Sequence, residues 1–206
     1  MDCSGRRNRF QPTYYFPIHE GNSWVFNGEI YKMEITDITK HVGDKILTFT
    51  YYDSLDVELW SEKYSLLKNQ IFLQSFEPAT KLLPTVTFEP ALPFAPPSRK
   101  LGYKSSYECL ETHTLDTLVT TNPVHIDYVV EAVEDVRVPA GTFLNCIKMK
   151  ISIKYPQSVK RPYFIGDQYW WFAPLVGPVK YDLPSAVGEL VELPKSRGLQ
   201  FEPPGS

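Results

Sequence analysis

The clearest alternation of hydrophobic and polar residues lies in the second half of the chain, in the segment NCIKMKISIKY. Its apolar face consists of Ile147, Met149, Ile151, Ile153 and Tyr155, and its polar face of Lys148, Lys150, Ser152 and Lys154. An unbroken period of two predicts a β-strand with one buried and one solvated face. We therefore expect Met149 and Ile151 to be buried, and Lys148 and Lys150 to be exposed.

Other short segments rich in aromatic and β-branched residues are bounded by Gly, Pro and Asn turns, as is typical of strands. They span residues 23–39, 44–53, 57–67, 70–77, 102–115, 125–139, 167–174, 177–184 and 188–194. No segment has a convincing period of 3.6, so helices should be few. About nine to eleven strands in succession predict a mainly β protein. We expect a single antiparallel meandering sheet, curled into an open or incomplete barrel that protects its edges.

Residues 77–97 differ in composition from the predicted strands because they are rich in proline, at positions 78, 84, 90, 93, 96 and 97. Because proline donates no backbone hydrogen bond, this segment is expected to be neither a helix interior nor a central strand. Its apolar residues are Leu82, Leu83, Val86, Phe88 and Phe94, so we expect an extended crossing that packs on the body of the protein. The predicted organisation is a flexible tether over residues 1–13, one β-rich domain over 14–193, and a tail over 194–206.

Two turn motifs interrupt the predicted strands. In VPAGTF, Pro139 should end one strand, Gly141 should adopt a backbone angle that other residues resist, and Phe143 should return to the core. In FAPLVGPVKYD, Pro174 and Gly177 should close one strand and open the next. Both motifs are interpreted as structural.

The segment DQYWWFAPLVGPVKYD, residues 167–182, contains two adjacent tryptophans. On a strand, Trp170 and Phe172 share one face, and Tyr169 and Trp171 share the other. Either loops cover the second face, or it lines an apolar cavity of the kind that binds ligands. Trp170, Trp171, Tyr169 and Phe172 are therefore the candidate ligand-binding residues, with Trp170 the better candidate for the core.

Composition and charge exclude some functions. The chain has 206 residues, 14% of them aromatic, and a formal net charge of −3. Its basic run near the start, Arg6, Arg7 and Arg9, is too short to indicate nucleic-acid binding. No apolar stretch approaches the roughly 20 residues that a membrane-spanning helix needs.

The three cysteines are Cys3, Cys109 and Cys146. Cys3, followed by Ser4 and Gly5, has the setting of a bacterial lipoprotein after signal removal, in which the cysteine is acylated; the alternative is an ordinary free thiol at a frayed end. In an oxidising envelope Cys109 and Cys146 would then form an even pair. However, alternation places Cys146 on the lysine face of its strand, so a disulfide stays open as a hypothesis.

Catalytic signatures are weak. The sequence has no nucleophile elbow, zinc-binding helix, phosphate loop or dinucleotide fingerprint. Its histidines are His19, His41, His113 and His125, and their spacing supplies no convergent metal ligands. The acidic residues Glu131, Glu134 and Asp135 are expected to form a solvated strand end rather than a catalytic carboxylate pair. We predict a protein that is not an enzyme and needs neither metal nor cofactor.

Four segments resemble, in order, a group of uncharacterised bacterial envelope proteins: YYFPIHEGNSWVF, RKLGYKSSYE, EDVRVPAGTFLNCIKMK and YWWFAPLVGPVKYD. The resemblance covers roughly residues 14–193 and rests on turn and packing motifs. It differs at Pro178 and at the second tryptophan of the pair. The group looks distantly like the lipoprotein carriers and receptors (LolA/LolB-like), which implies a curved sheet open on one side.

These observations favour a non-catalytic protein of the cell envelope, periplasmic or surface-exposed, that contacts a membrane only through a lipid on Cys3. The first hypothesis is that it binds an apolar ligand, a lipid or acyl chain, on the curved sheet. The alternative is a protein–protein interaction module of an envelope assembly. The first predicts a dry continuous cavity, and the second a filled core with a flat apolar patch.

Overall fold

The computed structural model describes residues 12–41, 44–68, 70–96, 98–157, 159 and 166–194. These residues form a 3-10 turn, Pro12–Tyr14, and twelve strands. The strands are β1 Ser23–Val25, β2 Lys32–His41, β3 Asp44–Tyr52, β4 Glu58–Leu67, β5 Gln70–Pro78, β6 Thr85–Pro93, β7 Lys104–Leu115, β8 Leu118–Val138, β9 Gly141–Lys154, β10 Gly166–Ala173, β11 Gly177–Leu183 and β12 Ala186–Glu189. No helix within these residues is long and apolar enough to cross a membrane.

All twelve strands belong to one sheet, in which each strand pairs with the next in sequence order. This confirms the predicted antiparallel meander with an open order. The two ends of the sheet meet just beyond β1 and β12, at an isolated bridge between Phe26 and Leu190. The backbone N–H of Asn27 donates to the carbonyl oxygen of Glu189 at 3.0 Å beside that bridge. The sheet therefore curls until its ends touch, without closing through a full strand pair.

Strand β9 has the predicted register. Met149 and Ile151 lie in the buried core, which confirms their predicted orientation. Lys148 and Lys150 point to the outer face, where each side chain is only about a quarter exposed. They are less exposed than expected because their Nζ atoms lie over the Tyr169 ring of β10, at 4.7 Å and 5.8 Å from its centroid.

The exclusion of a central strand from residues 77–97 is wrong for Thr85–Pro93, which forms β6 between β5 and β7. The proline-free part, from Thr85 to Glu89, pairs with β7. That pairing ends where Pro90 begins, and the pairing with β5 shifts register in the same region. The segment does pack on the body through Val86 and Phe88, whereas Leu82 is exposed.

The connection from β8 to β9 follows the VPAGTF motif. Gly141 has a φ of 139°, and Phe143 is buried, as predicted. A register shift then occurs between Glu134 and Val136 of β8, opposite Asn145, whose φ is 55°.

Because of this irregularity, Cys146 and its neighbour Ile147 are both buried. The placement of Cys146 on the lysine face is therefore wrong. Cys109, on β7, is also buried, and both residues are free thiols, so the structure contradicts the disulfide hypothesis.

One part of the enclosed space is filled by aromatic rings: Phe16, Trp24, Phe49, Phe94 and Phe172. The indole of Trp24 donates to the carbonyl oxygen of Val176 at 2.7 Å. A Cβ on Gly177 would lie 2.8 Å from the Trp24 Nε1 atom, and Gly177 also has a φ of 99°, so only glycine suits this turn. The filled part thus depends on the Gly177 turn that the sequence predicted.

Candidate functional site

The curled sheet encloses a cavity of about 670 Å³. Its wall is mostly aliphatic and aromatic: Ile30, Leu59, Leu73, Phe76, Pro78, Leu83, Phe88, Leu92, Pro93, Phe94, Val124, Ile126, Ile151, Ile153, Trp170, Leu183 and Pro184, with the more polar Tyr51, Trp60, Glu62, Tyr64, Glu111, Tyr128, Gln168 and Ser185. This size falls within the range of about 300–1,000 Å³ that small-molecule sites occupy. A large apolar space with a few polar groups is the usual form of such a site.

Phe94 separates the cavity from the aromatic filling. Its ring lines the cavity and also contacts Phe16 at 5.5 Å and Phe172 at 6.3 Å between ring centroids. The exposed residues of the wall lie in two connections, at Leu83 before β6 and at Pro184 and Ser185 between β11 and β12. We therefore place the cavity mouth between these two connections.

A carboxylate with three hydrogen-bond donors forms part of the wall. Alternation along β4 places Trp60, Glu62 and Tyr64 on the inner face. Tyr51, on the neighbouring strand β3, is the pairing partner of Trp60. The Tyr51 hydroxyl donates to Glu62 Oε2 at 2.6 Å, and the Tyr64 hydroxyl donates to the same oxygen. The Trp60 indole donates to Glu62 Oε1 at 3.3 Å. Glu62 thus accepts three hydrogen bonds from neutral donors.

The environment of Glu62 shifts its pKa upward from the ordinary value of a glutamate. Burial raises the pKa of Glu62, and the three donated hydrogen bonds oppose this rise without cancelling it. Burial and the adjacent carboxylate raise the pKa values of Tyr51 and Tyr64 well above the usual range, so both hydroxyls stay donors. The cluster is therefore a hydrogen-bonded group that gains or loses charge only at Glu62.

Glu111 is the second carboxylate of the wall. It lies on β7, on the same inner face as Cys109, and has no solvent exposure. Its Oε1 contacts Nε2 of His113, and the Tyr155 hydroxyl donates to its Oε2 at 2.6 Å. Glu111 therefore has an ionisable base as a partner, and no described residue provides one to Glu62.

The four sequence-predicted ligand-binding residues separate between the two faces of β10. Trp170 lines the cavity, and Phe172 lies in the aromatic filling. Tyr169 and Trp171 lie on the outer face and do not line the cavity. The structure thus places Trp170 alone of the four where an enclosed ligand could touch it.

Lysines and one acid cover the outer face of β10. The indole of Trp171 donates to Glu134 Oε1 at 2.8 Å. The Nζ atoms of Lys148 and Lys180 lie 5.3 Å and 5.5 Å from the Trp171 ring. Among the described residues, lysines and Glu134 therefore cover the second face of the tryptophan pair, and this face does not line the cavity.

His125 and Glu131, for which the sequence predicts no metal-binding or catalytic role, lie outside the cavity. His125 contacts Glu108 at 2.5 Å and Asp127 at 3.0 Å on the exposed face, and Lys154 joins the same network. Glu131 pairs with Lys148 at 3.0 Å. Among the described residues, no three His, Cys, Asp or Glu side chains group as metal ligands. The candidate lipidation site Cys3, like the whole predicted tether except its last two residues, lies outside the described residues.

Sequence reasoning missed Glu62 and Glu111, although the signal was available. Both follow the alternation of their strands: Glu62 lies two residues after Trp60, and Glu111 two residues after Cys109. An acidic residue that falls on the apolar face of an alternating strand is expected to point its carboxylate into the protein interior.

No protein-family model matches the chain, and no curated protein matches its sequence. Two solved structures are similar in fold. A candidate lipoprotein from Parabacteroides distasonis has a TM-score of 0.51 and 17% identity, over 87% of this chain and 98% of that one. A candidate exported protein with a YmcC-like fold from Bacteroides fragilis has a TM-score of 0.50 and 14% identity, over 89% of this chain and 99% of the other. At such identities the similarity establishes a shared fold.

Proposed function

We propose that this chain is an exported protein of the bacterial cell envelope that binds an apolar ligand in the cavity of its curled sheet and catalyses no reaction. The cavity is the observation that carries this proposal. Protein interiors are close-packed, so an apolar space of about 670 Å³ beside a fully packed aromatic core is not an ordinary packing defect. The ligand class that fits an apolar wall is a lipid or acyl chain.

The location in the envelope has separate support. The two proteins of similar fold are described as a lipoprotein and an exported protein. The residues around Cys3 resemble those of an acylated lipoprotein N-terminus, and the motif resemblance is to envelope proteins. In this proposal a lipid on Cys3 anchors the domain, and the membrane is otherwise not contacted.

The alternative of an interaction module expects a filled core. The presence of the cavity supports ligand binding over that alternative, because a partner-binding surface needs no internal space.

Binding of a neutral fluorescent apolar probe, N-phenyl-1-naphthylamine, tests the proposal. The informative variant is Leu73→Trp, because Leu73 lines the cavity and a larger ring would occupy it. Leu110→Trp is the matched control, since Leu110 is on β7 with its side chain about half exposed. We expect probe fluorescence to rise with the wild type and the control, and to be strongly reduced with Leu73→Trp. Equal binding by both variants, with both folded by circular dichroism, contradicts the proposal, as does no binding by the wild type.

A further inference from the structure

The charged residues in the cavity wall are all of one sign. Glu62 and Glu111 line the cavity, and among the described residues no Lys, Arg or His does so. Charges in such an enclosure interact strongly, because the surrounding side chains screen them poorly. The wall therefore repels anions and attracts cations and hydrogen-bond donors.

The two carboxylates differ in whether a neighbouring side chain can neutralise their charge. Glu111 contacts His113, which neutralises the pair when the imidazole is protonated. Among the described residues, the hydrogen-bond donors to Glu62 are the neutral Tyr51, Tyr64 and Trp60. A carboxylate in an apolar wall is costly to ionise without a cation, and no described residue supplies one to Glu62.

Glu62 also has room for another hydrogen bond. A carboxylate offers about four lone-pair positions, and the neutral donors occupy three. The same three donors, being directed at Glu62, are not aimed at a ligand. The polar group that best completes this part of the wall is thus a donor, not an acceptor.

We infer that the ligand is an amphiphile whose polar end donates hydrogen bonds and carries no negative charge, and that the Glu62 carboxylate binds that end. An ammonium or hydroxyl head fits this requirement, whereas the carboxylate of a free fatty acid does not. The inference rests on the proposed function, because it names the ligand class of the same cavity. The apolar chain lies against aliphatic wall residues such as Ile126, Ile151 and Ile153.

Competition with single-chain amphiphiles of equal length tests this inference on the wild-type protein. Bound N-phenyl-1-naphthylamine is displaced at pH 7 by dodecylamine, dodecanol or dodecanoate, each below its micelle-forming concentration. We expect dodecylamine and dodecanol to compete, and dodecanoate to need at least about a tenfold higher concentration than dodecylamine, because both its own charge and that of the wall are negative.

The variant Glu62→Gln removes the charge of the binding group and keeps its shape. We expect the two competing concentrations, of dodecylamine and of dodecanoate, to differ by no more than about threefold in this variant, instead of at least about tenfold. The control is Glu77→Gln, which changes net charge equally; Glu77 pairs with Lys63 on the outer face and does not line the cavity. Its preference should equal that of the wild type.

The outcomes separate the two proposals. If the probe binds but dodecanoate competes as well as dodecylamine, the inference is overturned while ligand binding stands. If Glu62→Gln binds the probe and keeps the full preference, the role of Glu62 is overturned. If neither the probe nor any amphiphile binds, the proposed function fails and the inference fails with it.

Discussion

Trp170 and Trp171 are adjacent in β10 and occupy opposite environments. The ring of Trp170 is 6% exposed and lines the cavity, where its centroid lies 5.9 Å from that of Phe94. The ring of Trp171 lies on the outer face and donates to Glu134 at 2.8 Å. One short strand therefore contributes both to the cavity wall and to an ordered charged surface.

This relationship predicts unequal costs for the two alanine variants. Trp170→Ala removes a large side chain from the buried face, so we expect it to lower the free energy of unfolding by roughly 3–5 kcal/mol. Trp171→Ala removes a surface hydrogen bond and cation contacts, and should cost about 1 kcal/mol. Urea denaturation followed by circular dichroism measures both. Equal losses would contradict the assignment of the two faces.

Probe binding gives an independent measurement on the same variants. Trp171→Ala should bind N-phenyl-1-naphthylamine as the wild type does, because the Trp171 ring does not line the cavity. Trp170→Ala, if folded, should bind it with altered affinity, since its truncation changes the wall. A change with Trp171→Ala alone would place the probe on the outer face.

The strands and their buried faces could be predicted from the sequence because alternation is a local property. β9 and β10 have the predicted faces, including Met149, Ile151 and Trp170. Irregularities were not predictable in the same way. The burial of Cys146 depends on a register shift in the neighbouring strand β8, and β6 exists because its proline-free half pairs with β7.

The cavity lies beyond what local patterns can indicate. Alternation assigns Glu62 and Glu111 to inner faces, but they are on β4 and β7, strands that are not neighbours. Whether the space between such strands is filled depends on the curvature of the whole sheet and on the volumes of many side chains. A sequence pattern with a period of two carries no information about either.

Two aspartate substitutions, at adjacent positions of β9, test the register of this strand further. Ile151→Asp places a carboxylate in the core, where it has no compensating partner, and should abolish folding at 25 °C. Lys150→Asp removes an outer-face ion pair with Asp167. This variant should still unfold in a cooperative thermal transition, and its loss of stability should be much smaller than that of Ile151→Asp. Comparable melting curves for the two variants would show that the register is wrong.

The two buried cysteines should be unreactive in the folded protein. Burial raises the pKa of Cys109 to about 11 and that of Cys146 to about 12, so little thiolate, the reactive form, is present near neutral pH. In a Cys3→Ser background, we expect a thiol reagent at pH 8 to label neither residue rapidly, and both after unfolding without reductant. A denatured, unreduced chain without free thiols would instead demonstrate a disulfide.

The last prediction concerns the pH dependence of stability that Glu62 causes. Burial raises the pKa of Glu62 above its ordinary value of 4.5, so the folded protein binds this proton more tightly than the unfolded chain. The resulting stabilisation is complete below pH 4.5 and is lost as the pH rises through the folded-state pKa. Glu62→Gln has no such proton, so the free energy of unfolding of the wild type, relative to that of the variant, should fall as the pH rises above 4.5.

Other groups act elsewhere or cancel in this comparison. Asp127 and Asp167 have lowered pKa values, so they change the free energy of unfolding only below pH 3.8. His125 has a raised pKa, so it changes the free energy of unfolding only above pH 6.5. Glu111, the other carboxylate of the wall, is present in both proteins. Urea denaturation at half-unit steps between pH 4.5 and 6.5 measures the difference, with Glu77→Gln as the control that should parallel the wild type. Parallel curves for the wild type and Glu62→Gln would mean that the Glu62 proton is bound equally in the folded and unfolded states, and would contradict the raised pKa of Glu62.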